Sequence, residues 1–275
     1  MAEPSTAPWQ DVADRVYVRR YRFFDQGIGL ILGDGAALII DTRTTPAHAR
    51  ELRGEIRALT DLPVDAVVNT HAHSDHCFGN ATFDPLRIWG QRGAVRWLAD
   101  TGERQRAGLM ASIPDLAEEL AQVVLRPPDT LVDERATVLV GGRPVELAFH
   151  GRAHTDHDLI VAVPDAGVVF AGDIIDEGNA PYFGDGFPIA WPDTLGAFLA
   201  GHPEPIVVPG HGAVVDRAFV ERQRGQIGAL AAACRQVAAG AITADDLAAC
   251  APFPEPTVRA ALERALLELA ADSRA

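Results

Sequence analysis

One short stretch constrains this sequence more than any other. Residues 70–76 read THAHSDH, and they follow an apolar run at 64–69 that begins after Pro63. An apolar run of this length between breaking residues predicts a buried strand. Because side chains alternate along a strand, His71 and His73 at its end are expected to point to the same side.

The rest of the stretch adds a second pair of polar side chains. Ser74 is a favourable N-cap residue, so we expect the chain to turn there into a short helix that carries Asp75 and His76. Unmetallated, groups this close together would incur desolvation and repulsion costs. Two pairs of ligand-type side chains aimed at adjacent points suit two metal ions better than one. The alternative is a solvated polar turn with capping side chains.

Length and charge limit the classes of protein to consider. A chain of 275 residues suits one large domain, or a domain with a small appendage. The net charge of −14 disfavours a surface for the phosphate backbone, so nucleic acid is not an expected partner. All 24 basic residues are arginines, which excludes Schiff-base chemistry and phosphate or carboxylate clamps made by lysine.

The cysteines and the apolar segments bear on the cellular compartment. Cys77, Cys234 and Cys250 are an odd set without CxxC spacing, so no disulfide framework is expected. Residues 1–15 lack an apolar signal core, and no run of about 18 apolar residues is present. We therefore expect a cytoplasmic protein that does not enter a membrane.

Periodicity and turn signals outline the elements. Strands are predicted at 16–24, 29–41 with a turn at 33–35, 64–69, 86–89, 137–149 with a turn at 141–142, 159–163, 168–175 and 206–208. Helices are predicted at 46–59, 93–100, 110–124, 192–200, 216–239, 244–249 and 256–270. Residues 101–130 are interpreted as a connecting helix, with a lid over the site as the alternative. This order indicates an α/β or α+β layered domain.

Three later strand ends each offer another metal-type side chain. His154 precedes the strand at 159–163, Asp173 ends an apolar run that starts at 168, and His211 follows the strand at 206–208. Glycines close to these residues would allow backbone and metal to approach closely. Each residue alone is weak evidence of a site. Their shared position beside apolar strands, in a chain that already carries the THAHSDH stretch, favours one common centre.

Together these residues resemble the metallo-β-lactamase-fold superfamily. The resemblance rests on His71 to His76, His154, Gly172-Asp173 and residues 209–212 (PGHG), and it covers residues 15–215. It implies a catalytic domain at 15–215 with a four-layer αββα sandwich, two sheets covered by helices. Residues 216–275 are then a C-terminal helical extension that packs on this domain, with a homodimer contact as the alternative.

The resemblance also implies a ligand set, carried over position by position. The first metal ion would be held by His71, His73 and His154, and the second by Asp75, His76 and His211, with Asp173 bridging both. Imidazole and carboxylate ligands suit zinc, so the expected cofactor is two Zn²⁺; ligand types alone do not exclude iron.

A zinc-dependent hydrolase is the activity that this resemblance implies. A hydroxide between the two metals would attack the carbonyl of a small molecule, an ester, lactone, thioester or β-lactam, with Asp75 moving a proton. Many true β-lactamases of the superfamily place Cys at the position of Asp173, which instead resembles the aspartate of glyoxalase II-like and lactonase-like branches. The alternative is a mononuclear-iron sulfur oxidoreductase that resembles persulfide dioxygenases.

The surroundings of the site are predicted from sequence position alone. Asp41 ends a strand and is expected to support the metal loop by accepting a hydrogen bond, with a strand-end cap as the alternative. His157 is interpreted as a surface residue, with a contact to substrate or a pair with Asp156 as the alternatives. Aromatic residues of two loops are expected to line an apolar substrate pocket, or else to pack their loops onto the body: Phe23, Phe24, Tyr182, Phe183, Phe187 and Trp191.

Overall fold

A computed structural model of the protein describes residues 8–203 and 205–272. The described residues do not include 1–7, 204 and 273–275. The expectations for the N-terminal segment at 1–15 and for the C-terminal extension at 216–275 therefore lie partly outside the described residues.

The described strands form two sheets. The first sheet has seven strands in chain order: β1 (Gln10–Ala13), β2 (Val16–Arg20), β3 (Gly27–Leu32), β4 (Ala37–Ile40), β5 (Val64–Val68), β6 (Arg87–Gln91) and β7 (Thr130–Val132). The second sheet has five strands, which follow one another across the sheet as β12 (Ile206–His211), β11 (Val168–Asp176), β10 (Ile160–Val163), β9 (Arg143–Ala148) and β8 (Arg135–Val140).

Eight α-helices lie within the described residues. They are α1 (Pro46–Leu59), α2 (Ser74–Cys77), α3 (Arg92–Ser112), α4 (Ala117–Leu120), α5 (Trp191–Gly201), α6 (Arg217–Ala238), α7 (Ala244–Cys250) and α8 (Glu255–Asp272). The first begins where the sequence indicates, since the Thr45 side chain accepts a hydrogen bond from the backbone N–H of His48 and Pro46 occupies the first turn.

Alternation along the strands explains the layers. In β3, Ile31 packs into the core between the two sheets, while its neighbours Leu30 and Leu32 pack on the opposite face with Leu52 and Ile56 of α1. On the far side, the second sheet packs against the later helices through the core that contains Ile174, Phe198 and Ile227. Helices therefore cover the outer faces of two stacked sheets, which confirms the αββα sandwich.

The C-terminal helices share a core with the second sheet. Val220 of α6, Leu247 of α7 and Val258 of α8 are buried in the same cluster as Ile175 of β11. The division into a domain at 15–215 and an extension at 216–275 stays a prediction, as does a homodimer contact.

The segment between β6 and β7 differs from the expectation. The helix predicted at 93–100 continues to Ser112, while the helix predicted at 110–124 is divided between the end of α3, a 3-10 turn at Pro114–Leu116 and the single turn α4. Ile113, the residue after the end of α3, precedes Pro114, and helical backbone is disfavoured before a proline, so the long helix stops there. Strands β1 and β7 were not predicted.

Parallel pairing decides where the strand ends meet. Strand β5 runs parallel to β4 and to β6, and β12 runs parallel to β11. The carboxyl ends of β4 and β5 therefore lie together at one edge of the first sheet, and those of β11 and β12 lie together in the second. The predicted polar strand ends thus meet at one edge of the sandwich.

We predict that protonation of His150 destabilises the fold. Burial, followed by the positive charges of His202 and Arg135, lowers the pKa of His150 to about 4. In the unfolded chain the pKa is about 6.5, so this contribution to stability is present above pH 6.5 and is lost as the pH falls towards 4. The free energy of unfolding is measured with denaturant at pH 7.5 and at pH 5. Between these two values it should fall less in His150→Asn than in wild type. An equal loss in both proteins would contradict the prediction.

Candidate metal centre

The THAHSDH stretch folds as its residue types suggest. Strand β5 ends at Val68, and α2 begins at Ser74 with His73 as the N-cap residue. The turn between them is tied to its surroundings, since the Leu159 backbone N–H donates to the carbonyl oxygen of Thr70 at 2.7 Å. His71 and His76 are buried, so the stretch forms the floor of a site.

Three imidazoles and one carboxylate form a first group of ligand-type atoms. His73 Nδ1 lies 3.1 Å from His71 Nε2 and 2.8 Å from His154 Nε2. Asp173 Oδ2 lies 3.7 Å from His71 Nε2 and 3.5 Å from His154 Nε2. At zinc–nitrogen bond lengths of about 2.0–2.1 Å, ligands at tetrahedral angles are about 3.3 Å apart, which lies within this range.

Asp75, His76 and His211 form a second group beside the first. Asp75 Oδ2 lies 3.3 Å from His76 Nε2 and 3.4 Å from His211 Nε2. Asp173 contacts this group as well, with Oδ1 at 3.2 Å from His76 Nε2 and Oδ2 at 3.0 Å from His211 Nε2. One carboxylate therefore faces both groups.

The outer nitrogens of four imidazoles are engaged as hydrogen-bond donors. His76 Nδ1 donates to Asp41 Oδ2 at 2.8 Å, and His211 Nδ1 donates to the carbonyl oxygen of Phe24 at 2.6 Å. His73 Nε2 donates to Asp185 Oδ2 at 2.9 Å. The fourth donor, His71 Nδ1, faces Thr70 Oγ1 at 3.1 Å.

Thr70 joins His71 to Asp41. The Thr70 hydroxyl donates to Asp41 Oδ2 at 2.8 Å, so the contact to His71 Nδ1 requires the imidazole to donate. Asp41 Oδ1 accepts from the Thr70 backbone N–H at 2.8 Å. Asp41 therefore accepts a hydrogen bond directly from His76, and the Thr70 hydroxyl links it to His71.

These partners direct the remaining lone pairs inwards, where a cation fits. Two unprotonated ring nitrogens, such as His71 Nε2 and His73 Nδ1, have no hydrogen to share at 3.1 Å. His76 Nε2 and Asp173 Oδ1 are buried and lack a hydrogen-bond partner although they face each other at 3.2 Å. Buried polar atoms without partners are costly, and a shared metal ion would satisfy them. The two groups can therefore bind metal ions.

Electrostatics at the centre favour positive charge. Burial, with the charge of His76, lowers the pKa of His71 well below its usual value, and burial lowers that of His154 to about 4. Burial also acts to lower the pKa of His211, but the carboxylates of Asp173 and Asp75 outweigh it and raise that pKa to about 10. The carboxylates thus attract a cation, while two imidazoles stay neutral as metal binding requires.

Glycine at position 210 allows Asp173 to occupy this position. A Cβ atom on Gly210 would lie only 1.8 Å from Asp173 Oδ1, so no other residue fits there without displacing the carboxylate. The pairing of β11 with β12 is also irregular on both sides of Gly172, which has a φ of +56°. A bulge of this kind changes the direction of nearby side chains.

A cavity of about 570 Å³ opens above the two groups. Of the predicted aromatic pocket residues, Phe24 and Tyr182 line it. Phe183 and Trp191 are 1% and 0% exposed and belong to the core beneath the second sheet, which corrects the expectation that they face substrate.

The other two predicted aromatic residues also lie away from the cavity. Phe187 lies under the guanidinium groups of Arg152 and Arg264, and the ring of Phe23 lies 5.1 Å from that of His48. The loop aromatics therefore mostly anchor their own segments, as the alternative reading held.

Several residues of the site were not anticipated. Trp97, Arg104 and Gln105 of α3 line the cavity, so this helix forms a wall of the cavity. Asp185 contacts His73 across 112 positions of sequence, a separation at which no local pattern exists. Asp176 lies close to Asp173 and His211, and its position three residues after Asp173 was the available signal.

His157 is buried, which corrects its interpretation as a surface residue. Its Nδ1 donates to Asp156 Oδ1 at 2.7 Å, and its Nε2 accepts from the backbone N–H of Ala72 at 3.2 Å. It thereby holds the backbone between His71 and His73.

Comparison with known proteins now assigns the family. The family model described as the metallo-beta-lactamase superfamily matches residues 23–212 of the chain. The chain belongs to this superfamily. This confirms the resemblance seen in the ligand motifs, and it agrees with the sandwich of two sheets.

Two curated relatives are a sulfatase and a β-lactamase. The chain is 23% identical over 210 residues to the linear primary-alkylsulfatase of Pseudomonas sp. (strain ATCC 19151), a match over 64% of this chain and 39% of the sulfatase. It is 24% identical over 213 residues to the metallo-beta-lactamase type 2 of Bacteroides fragilis, over 73% of this chain and 77% of that protein. The match therefore spans well under half of the sulfatase.

Solved structures of the same two kinds share the fold. The inverting sec-alkylsulfatase Pisa1 from Pseudomonas sp. superposes with a TM-score of 0.76 at 17% identity, over 94% of this chain and 50% of that chain. The DIM-1 metallo-beta-lactamase superposes with a TM-score of 0.63 at 17% identity, over 81% of this chain and 98% of that chain.

None of the helices within residues 8–203 and 205–272 combines the length and apolar character needed to cross a membrane.

We predict that Asp41→Asn weakens metal binding. Asp41 has a φ of +66°, which asparagine tolerates, so the backbone should persist while the charge behind His76 is removed. Loss of such a partner typically lowers metal affinity about 10- to 100-fold, measured here by competition with a chelator. Glu55→Gln is the control, because Glu55 also accepts hydrogen bonds from buried side chains, Arg19 and Tyr21, away from the centre. Equal affinities of the two variants would contradict the prediction.

Proposed function

We propose that the protein is a zinc-dependent hydrolase that cleaves an ester, lactone, thioester or β-lactam of a small molecule. The observation that carries the proposal is the pair of ligand groups that share the carboxylate of Asp173. In this proposal, the first Zn²⁺ is held by His71, His73 and His154, the second by Asp75, His76 and His211, and both by Asp173. Bound zinc supplies a Lewis acid and a nucleophile that is ionised near neutral pH.

Asp75 is the residue proposed to move a proton. It lines the cavity, and its Oδ2 faces both His76 and His211. Its backbone carbonyl accepts a hydrogen bond from the side chain of the buried Gln26, which holds this turn in place. In the proposed reaction the Asp75 carboxylate accepts the proton of the attacking water and returns it to the leaving group.

The proposed substrates are compounds whose carbonyl carbon is attacked: esters, lactones, thioesters and β-lactams. The cavity is large enough for a small molecule, and Trp97, Leu109 and Tyr182 supply an apolar wall.

A sulfate ester is the second candidate substrate. The sec-alkylsulfatase match covers 94% of this chain, so it has to include most of α6–α8, whereas the DIM-1 match covers 81%. Because two of the similar proteins are alkylsulfatases, an alkyl sulfate is included in this proposal beside the carbonyl compounds.

Metal analysis combined with a substrate panel tests the proposal. We expect two zinc ions per chain, and hydrolysis of at least one ester class that is lost on chelation and restored by zinc. His71→Ala should lower the rate by at least about 100-fold together with the metal content, while His202→Ala, outside the ligand groups, should leave both unchanged. Zinc-loaded protein inert towards carbonyl and sulfate esters would overturn the proposal, as would one iron per chain with oxygen uptake on a persulfide.

Arg104 allows a test of substrate charge. It carries the one guanidinium among the described residues that line the cavity, where the carboxylates of Asp75, Asp173, Asp176 and Asp185 also lie. We predict that Arg104→Ala raises KM for an anionic ester roughly 3- to 10-fold, with kcat and neutral esters little changed. Arg96→Ala is the matched control, because Arg96 lies on the same helix and pairs with Asp100 outside the cavity. Equal KM changes for neutral and anionic esters would contradict this role.

A further inference from the structure

The loop between β11 and α5 carries Asp185, which fixes the tautomer and the orientation of the His73 imidazole. Asp185 Oδ2 accepts a hydrogen bond from His73 Nε2 at 2.9 Å. With the proton on Nε2, the lone pair of His73 Nδ1 points towards His71 and His154. The carboxylate of Asp185 therefore selects both the tautomer and the orientation of this imidazole.

Residues 177–190 contain no helix or strand that would fix Asp185 by itself. Without partners, the backbone of such a segment keeps its conformational entropy, and a side chain on it is poorly positioned. The position of Asp185 thus depends on contacts from outside the loop.

Helix α8 supplies four of these contacts from two side chains one turn apart. Arg264 Nη2 donates to the carbonyl oxygen of Asp185, and Arg264 Nε donates to that of Gly186, both at 3.0 Å. Glu268 accepts from the backbone N–H groups of Ile189 and Ala190 at 2.9 and 3.0 Å. The guanidinium binds carbonyls near the middle of the loop, and the carboxylate binds amides near its end.

The two side chains are placed to act on the loop and not on each other. Glu268 is buried, and its carboxylate is satisfied by two backbone donors of the loop. Charged acceptors form stronger hydrogen bonds than neutral ones, so the loop end is held firmly. The guanidinium of Arg264 also lies 5.5 Å from the centre of the Phe187 ring, which adds a further contact with the same loop.

We propose that α8 is a positioning element for the metal centre, acting through Arg264 and Glu268 on the loop and through Asp185 on His73. The inference rests on the proposed function only in taking His73 as a metal ligand. Arg264, Glu268 and Asp185 are positioning residues, because each is proposed to act through another residue.

Zinc affinity of the full chain, measured by competition with a chelator, tests this chain of contacts. We expect Asp185→Asn to weaken zinc binding about 10-fold, and Arg264→Met and Glu268→Gln roughly 5-fold each. Arg259→Met and Glu263→Gln are the controls on α8, since Arg259 pairs with Glu255 and Asp245 and Glu263 is exposed. Thermal unfolding of the zinc-free proteins separates a loss of fold from a loss of positioning, and the Arg264 variant should unfold within a few degrees of the Arg259 control.

A double variant tests the route through Asp185. If Arg264 acts through this residue, Asp185→Asn combined with Arg264→Met should bind zinc about as weakly as Asp185→Asn alone. The inference would be overturned if the zinc affinity of the double variant fell by the product of the two single reductions. It would also be overturned if the single variants bound zinc as tightly as wild type. Zinc binding by wild type without hydrolysis of any ester would overturn the proposed function and leave this inference intact.

Discussion

The buried carboxylate of Asp173 is the group on which the rest of the site depends. An isolated charge of this kind is very costly away from water, so the surrounding structure has to compensate for it. Its two oxygens face His71, His154, His76 and His211, contributed by three separate regions of the chain. The glycine at 210 leaves room for it, and the irregular pairing of β11 and β12 accompanies its position.

The layered fold is what allows such a charge to be buried. The two sheets enclose an apolar core, and parallel pairing at β4–β5 and at β11–β12 brings loops from both sheets to one edge. Rigid strands then fix the backbone on each side of the centre, while the polar side chains come from strand ends and the connections between them. The precision of the site thus derives from the sheets, and its chemistry derives from the connections.

The sequence predicted those parts of the fold and site that depend on local pattern. Alternation and caps located most strands and helices, and the motif residues with His154, Asp173 and His211 were singled out by their positions beside strands. Contacts over long separations were not predictable, because the pairing of His73 with Asp185 leaves no trace in either local sequence. Aromatic residues in a loop were ambiguous as well, since composition does not tell whether Trp191 points inwards to the core or outwards to a cavity.

The contacts made by α8 have a consequence for biosynthesis. Asp185 and Ile189 are translated well before the residues that hold them, since Arg264 lies 79 positions after Asp185 and Glu268 lies 79 positions after Ile189. Because the second sheet shares its core with α6–α8, the outer face of that sheet is covered only after these helices have been made. On the emerging chain, the contacts that support the orientation of His73 are therefore complete only when α8 has been made.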